Sequence, residues 1–155
     1  MTDRSIGSAR IGLTDDLAAF IYNEVIFGYE QHYKTRVGFD IGNSEIKTVL
    51  KQHDIAIYKY DTNADAKANI EQDWQLESGN FVRFSDVHGS QAKSILRHLR
   101  NAFAHARFEV CDDSWLIHDA QGGKFTMVAR MPAKALKEFT MALVHDTRPA
   151  EKNEK

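Results

Sequence analysis

Residues 94–106 hold the side chains of this sequence best suited to chemistry. Wound at about 100° per residue, the segment puts Ile95, Leu99, Ala102, Phe103 and Ala106 on one side of a helix, with Leu96 at the edge. Arg97, His98, Arg100, Asn101, Ala104 and His105 fall on the other side. This second face gathers two guanidiniums, two imidazoles and a carboxamide, with no carboxylate among them. A guanidinium stays charged and offers a planar fork of donors to phosphate oxygens. An imidazole exchanges its proton near neutral pH. Such a set can bind an oxyanion and move a proton without a metal. A basic helix face is most often merely solvated. Two features point beyond that. Histidine and asparagine are indifferent helix formers, unlike the Glu and Lys of an ordinary soluble face. Ala102, Ala104 and Ala106 interleave with the polar groups, so another backbone or a flat ligand can come close.

Other candidates are weaker. His53-Asp54, His118-Asp119 and His145-Asp146 invite a metal-dependent phosphohydrolase, which would need them to converge with further ligands. Their surroundings read as loop, strand and helix end, where His and Asp collect for local reasons. Asp112-Asp113 reads as a turn, and Cys111 as a small buried residue rather than a nucleophile. Gln121-Gly122-Gly123-Lys124 lacks the spacing of a phosphate-binding loop and reads as a hairpin turn. Trp74 and Trp115 are core by default, although an exposed Trp115 could stack a base.

The elements that must position the polar face follow from periodicity. A first helix begins near a Thr14 cap, with Leu17, Ile21, Val25 and Tyr29 every four residues and Gly28 as a tolerable weak point. A loop with Gly38 and Gly42 leads to a shorter helix capped by Asn43 or Ser44, with Ile46, Val49 and Leu50 inward. Residues 55–80 are the least legible: a weak alternation over 55–60, then a polar helix over 65–76 anchored by Trp74. After a short apolar segment at 81–84, the clearest element runs over 86–107. Segments at 108–110, 115–117 and 124–131 make a small antiparallel meander. Pro132 suits the first turn of a last helix, with Ala135, Leu136, Phe139, Ala142 and Leu143 inward. The expected fold is mainly α, with a small β insertion between the last two helices. The 155 residues suit one domain, over 1–147, with a flexible charged tail at 148–155. A net charge of −2 excludes a globally basic nucleic-acid coat but not a local basic face. One cysteine excludes an internal disulfide and a multi-cysteine zinc site. With no apolar leader and no membrane-length run, the expected location is the cytoplasm.

Leu99-Arg100-Asn101-Ala102-Phe103-Ala104-His105 resembles the signature of the HEPN superfamily, an arginine, four to six residues and a histidine near a helix end, often with asparagine after the arginine. The order of long helices, motif helix, β excursion and closing helix also fits, and the chain looks most like small stand-alone HEPN nucleases of plasmids and mobile elements. The resemblance implies a HEPN-like helical bundle of about four or five helices, dimerised around the motif helix. It implies a metal-independent endoribonuclease in toxin or defence roles, with RNA as partner and no cofactor. A ribose 2′-hydroxyl would attack the adjacent phosphate, leaving a 2′,3′-cyclic phosphate and a 5′-hydroxyl.

Under this resemblance Arg100 binds the scissile phosphate, His105 moves the proton and Asn101 orients one of them; Arg97 and His98 extend the RNA contact. Arg100 and His105 lie about 140° apart around a straight helix, at the two rims of the polar face. Two copies across a two-fold axis would bring both pairs to one groove, which favours a composite dimeric site. Some HEPN toxins carry a tyrosine two residues after the histidine that their antitoxin modifies. Arg107 stands there, which puts an antitoxin of that kind in doubt while leaving room for another regulatory partner. Glu24 and Glu30 are candidate acidic partners for His105. The alternatives are a non-catalytic HEPN module that binds RNA, nucleotide or a partner protein, and a domain whose basic face is only a dimer seam.

Overall fold

The four-residue spacing of Leu17, Ile21, Val25 and Tyr29 is explained by the shape of the first helix, α1, which spans residues 15–31. The computed structural model describes residues 15–37, 41–87, 90–111, 113–145 and 148–149. α1 is α-helical over Asp15–Phe20, π-helical over Ile21–Phe27 and α-helical again over Gly28–Gln31. Four residues overshoot one α turn by about 40°. The wider π turn, closed by i→i+5 bonds, undershoots it. Joining the two keeps side chains four apart on one face, and all four of these are buried. Gly28 is more than a weak point. A Cβ there would lie 2.8 Å from the Asn23 carbonyl and 3.0 Å from the Tyr33 ring. The Thr14 cap and the Gly38 turn lie outside the described residues.

A 3₁₀ turn at Tyr33–Thr35 leads into β1 (Arg36–Val37). Helix α2 (Ser44–Gln52) is capped by Asn43, whose side chain accepts from Ile46 N at 2.8 Å. Strand β2 (Ile55–Lys59), helix α3 (Ala64–Leu76) and strand β3 (Asn80–Phe84) form a crossover unit, with β2 and β3 parallel. Helix α4 (Gln91–Ala104) carries the polar face and is capped by Ser90. Then come β4 (Phe108–Cys111), β5 (Ser114–Gln121), β6 (Lys124–Pro132) and helix α5 (Ala133–His145). Pro132 closes β6, and α5 starts one residue later. Gly122 and Gly123 both have positive φ, 61° and 79°, as a tight primed turn between β5 and β6 requires. Asp113 lies in the β4–β5 turn. Asp112 and the Cys111 side chain lie outside the described residues. Arg148–Pro149 (β7), which the sequence assigns to the tail, pairs antiparallel with β1.

The expectation of a mainly α helical bundle with a small meander is overturned. The strands at 108–132 are three of the five in a mixed sheet of order β2-β3-β6-β5-β4. Both faces of that sheet are covered. Val82, Phe84, Trp115, Ile117, Met127, Ala129 and Met131 join the core built by α1, α2, α4 and α5. On the other face Phe81 and Val128 pack with Ile70 of α3, bordered by Trp74. The result is three layers: α3, the sheet, and the four remaining helices with α4 lying across β5.

Candidate functional site

Helix α4 is buried on more than its apolar stripe. Ile95, Leu96, Leu99, Ala102 and Phe103 are in the core, as the wheel predicts, and so are Ala92, Ser94 and His98; Ala106, expected with them, lies past the helix end and is half-buried. Arg97, Arg100, Asn101, Ala104 and His105 remain accessible in part or in full. The helix ends abruptly. Ala106 takes a left-handed φ of 56°, Ala106 N donates to Phe103 O at 3.2 Å, and Arg107 N reaches back to Ala102 O at 2.8 Å. This closure is the kind usually built on glycine. It leaves His105 exposed at the cap and turns the chain into β4. Phe103, Phe108 and Trp115 stack beneath the turn, with centroids 5.2–6.2 Å apart. Trp115 is 2% exposed and offers no face to a base.

His98 departs from its expected role. It is 1% exposed and does not reach the open face. Nδ1 lies 2.8 Å from Asp119 Oδ2 and Nε2 lies 2.8 Å from the Ser85 carbonyl. Acceptors on both sides suit the doubly protonated ring. Asp119, on β5, is the residue that sequence reading missed; it appeared only in the His-Asp metal reading. Its signal was its register: Trp115, Ile117 and Asp119 occupy successive inward positions of β5, so a carboxylate stands where the alternation calls for a core residue. Besides His98, it accepts from Asn101 Nδ2 at 3.3 Å and from Ala120 N at 3.0 Å. Burial alone would raise the Asp119 carboxyl; the bonds and charge of His98, with help from Asn101 and Ala120 N, outweigh it and hold the group below its ordinary value.

Asp119 also fixes the motif. A carboxylate only accepts, so it must meet the NH₂ end of Asn101. The carbonyl end then faces Arg100, whose Nη1 donates to Asn101 Oδ1 at 2.6 Å. Arg100 Nη2 pairs with Glu30 Oε2 at 2.7 Å, and its Nε is buried without a hydrogen-bond partner among the described residues. Glu30 therefore serves Arg100 and not His105, while Glu24 accepts from Tyr33. Arg97 Nη2 donates to the Asp86 carbonyl at 2.8 Å. Tyr29, buried on α1, feels this cluster: burial raises its pKa and Arg97 and Arg100 partly offset the rise.

Beside the helix end is a hollow of about 220 Å³. Arg97 and Asn101 line it from α4, His105 and Arg107 from the turn that ends the helix, and Asp119 and Gln121 from β5. Arg100 is not among its lining residues. The sequence-predicted residues thus divide. His105, Asn101 and Arg97 share the hollow, Arg100 stands next to it, bonded to Asn101, and His98 lies underneath. The three His-Asp dipeptides do not converge. His53 pairs with Glu138 at 2.8 Å and His145 with Glu45, both across α2 and α5, whereas the His118 ring packs on Phe125. Asp146 lies outside the described residues. Among the described residues no group of three or more His, Cys, Asp or Glu could hold a metal ion, and no helix is long and apolar enough to cross a membrane.

A family model described as HEPN pEK499 p136 matches residues 17–153, which takes in the whole five-stranded sheet and all five helices but for the first two residues of α1. No curated protein and no solved structure matches the chain.

Proposed function

Because the chain belongs to the HEPN pEK499 p136 family, we propose that it is a metal-independent endoribonuclease acting at the end of α4. The observation that carries this reading is His105, exposed on the rim of a polar hollow it shares with Arg97, Asn101 and Arg107. His105 moves the proton: it takes one from the ribose 2′-hydroxyl or gives one to the departing 5′-oxygen. The 2′-oxygen bonds to phosphorus, the P–O5′ bond breaks, and a 2′,3′-cyclic phosphate and a 5′-hydroxyl result. Arg100 stabilises the charge that gathers on the phosphate oxygens, and Asn101 holds Arg100 in line. Arg100 and His105 lie on different sides of Asn101. A two-fold dimer through α4 would set the Arg100 of one protomer against the His105 of its partner, completing the site.

The test is end-labelled RNA incubated in EDTA with wild type and His105→Ala. Fragments with cyclic-phosphate ends from wild type alone are the expected result. Cleavage that returns only with a divalent metal would sink the mechanism. One observation favours a second reading, a non-catalytic module that binds RNA, nucleotide or a partner protein: Arg100 is neutralised by Glu30 within the same chain. Under that reading Arg100→Ala weakens RNA binding and there is no cleavage to lose.

A further inference from the structure

We propose that the hollow beside His105 holds a second backbone phosphate of the bound strand, next to the scissile one, and that Arg107 is the residue that grips it. This rests on the nucleic-acid reading above and adds the minimal substrate: a single strand with at least two phosphate groups. Arg97 enters the hollow from α4 and Arg107 from the turn between α4 and β4. Each is tethered through one nitrogen to a carbonyl, Arg107 Nη1 to Ala120 O at 3.1 Å and Arg97 Nη2 to Asp86 O at 2.8 Å. A guanidinium has five N–H groups, so the tether orients the fork and leaves donors for an oxyanion. The Arg107 backbone is pinned too, by its N–H to Ala102 O and by His118 N to its own carbonyl at 3.0 Å. A site so fixed loses little entropy on binding.

The one carboxylate in the hollow, Asp119, does not oppose this. Its side chain is 7% exposed, and its oxygens already accept from His98, Asn101 and Ala120 N, with Arg107 Nη1 3.7 Å from Oδ1. Neither Phe, Tyr nor Trp lines the hollow, so it has no platform for a base and suits phosphate and ribose. Arg100 stands outside it, on the other side of Asn101. In the proposed dimer the partner's Arg100 would take the scissile phosphate beside His105, and the hollow, with His105 on its rim, would take the next one.

Dinucleoside monophosphates with and without an added terminal phosphate, on the 5′ or the 3′ side, test this. Cleavage is followed with the ribose form. Binding is followed by calorimetry with the uncleavable deoxyribose form. The added phosphate on one side should raise wild-type kcat/KM and affinity about tenfold. In Arg107→Ala the ratio between the two substrates should fall to near one; Arg107→Gln, which can keep the bond to Ala120, is the second variant should Ala fail to fold. A ratio near one in wild type, or a tenfold ratio kept in the variant, overturns the subsite even if the bare dinucleotide is cleaved. Conversely, a phosphate gain in binding that Arg107→Ala abolishes, with no cleavage of either ribose substrate, upholds the subsite and overturns the nuclease.

Discussion

At the scale of residues, the motif's order depends on a group outside the motif. Asp119 fixes the Asn101 amide, and Asn101 in turn holds Arg100. Asp119→Ala would leave the buried His98 without its counter-charge, a loss of about 3–5 kcal/mol in stability. Asp119→Asn keeps the shape and costs less, about 1–3 kcal/mol, but lets the Asn101 amide point either way. The pH dependence follows from the lowered Asp119 pKa. As pH falls, the unfolded carboxyl takes up its proton near the ordinary value of 3.8, before the folded one does. The contribution of Asp119 is therefore present above that value and lost as pH drops through the folded pKa. Urea denaturation at pH 6 and pH 3 should show the gap between wild type and Asp119→Asn narrowing at pH 3; an equal gap at both would refute the charge pairing. Arg100, Asn101 and His105 were legible because they sit within six residues of one helix. Asp119 was not, because a strand partner announces itself only by its register.

At the scale of elements, two backbone features frame the site, and each predicts a substitution of opposite sign. Gly28 lets the π turn of α1 and the Tyr33 ring close on each other near the Glu30 that holds Arg100. A methyl group there meets a backbone oxygen that cannot swing away, so Gly28→Ala should cost about 1–3 kcal/mol. Ala106 sits in the left-handed region at the end of α4, where a Cβ is itself the strain. Ala106→Gly should gain about 0.5–1 kcal/mol, the relief of that strain less the extra chain entropy of glycine. Paired denaturation curves check both signs; a destabilised Ala106→Gly would mean the turn depends on contacts of the methyl group. Helices α1, α2, α4 and α5 were readable from strong apolar periodicity. In the β2-α3-β3 unit the helix was readable over 65–76, but the pairing of the two strands was not. Its parallel strands pair residues about 25 apart in sequence, such as Ile55 with Asn80, so no hairpin turn marks them. Among its described side chains helix α3 has only Ile70 fully buried, so it shows little apolar face.

At the scale of the whole molecule, the sheet sets Arg100 and His105 on different sides of Asn101 within one chain. Resting α4 against β5 buries His98 and aims Asn101 and His105 at the hollow, which leaves Arg100 turned toward α1 and Glu30. The helical-bundle expectation missed this, because a motif helix with two free rims could have used either one. In the proposed dimer a second copy brings its Arg100 to the His105 side. Mixing Arg100→Ala with His105→Ala protein tests that. Random exchange of subunits makes about half the dimers mixed, each with one of its two composite sites intact, so activity should recover to about a quarter of wild type. If Arg100 and His105 of the same chain worked together, every site in the mixture would lack one of them, and cleavage would stay at the background of the separate variants.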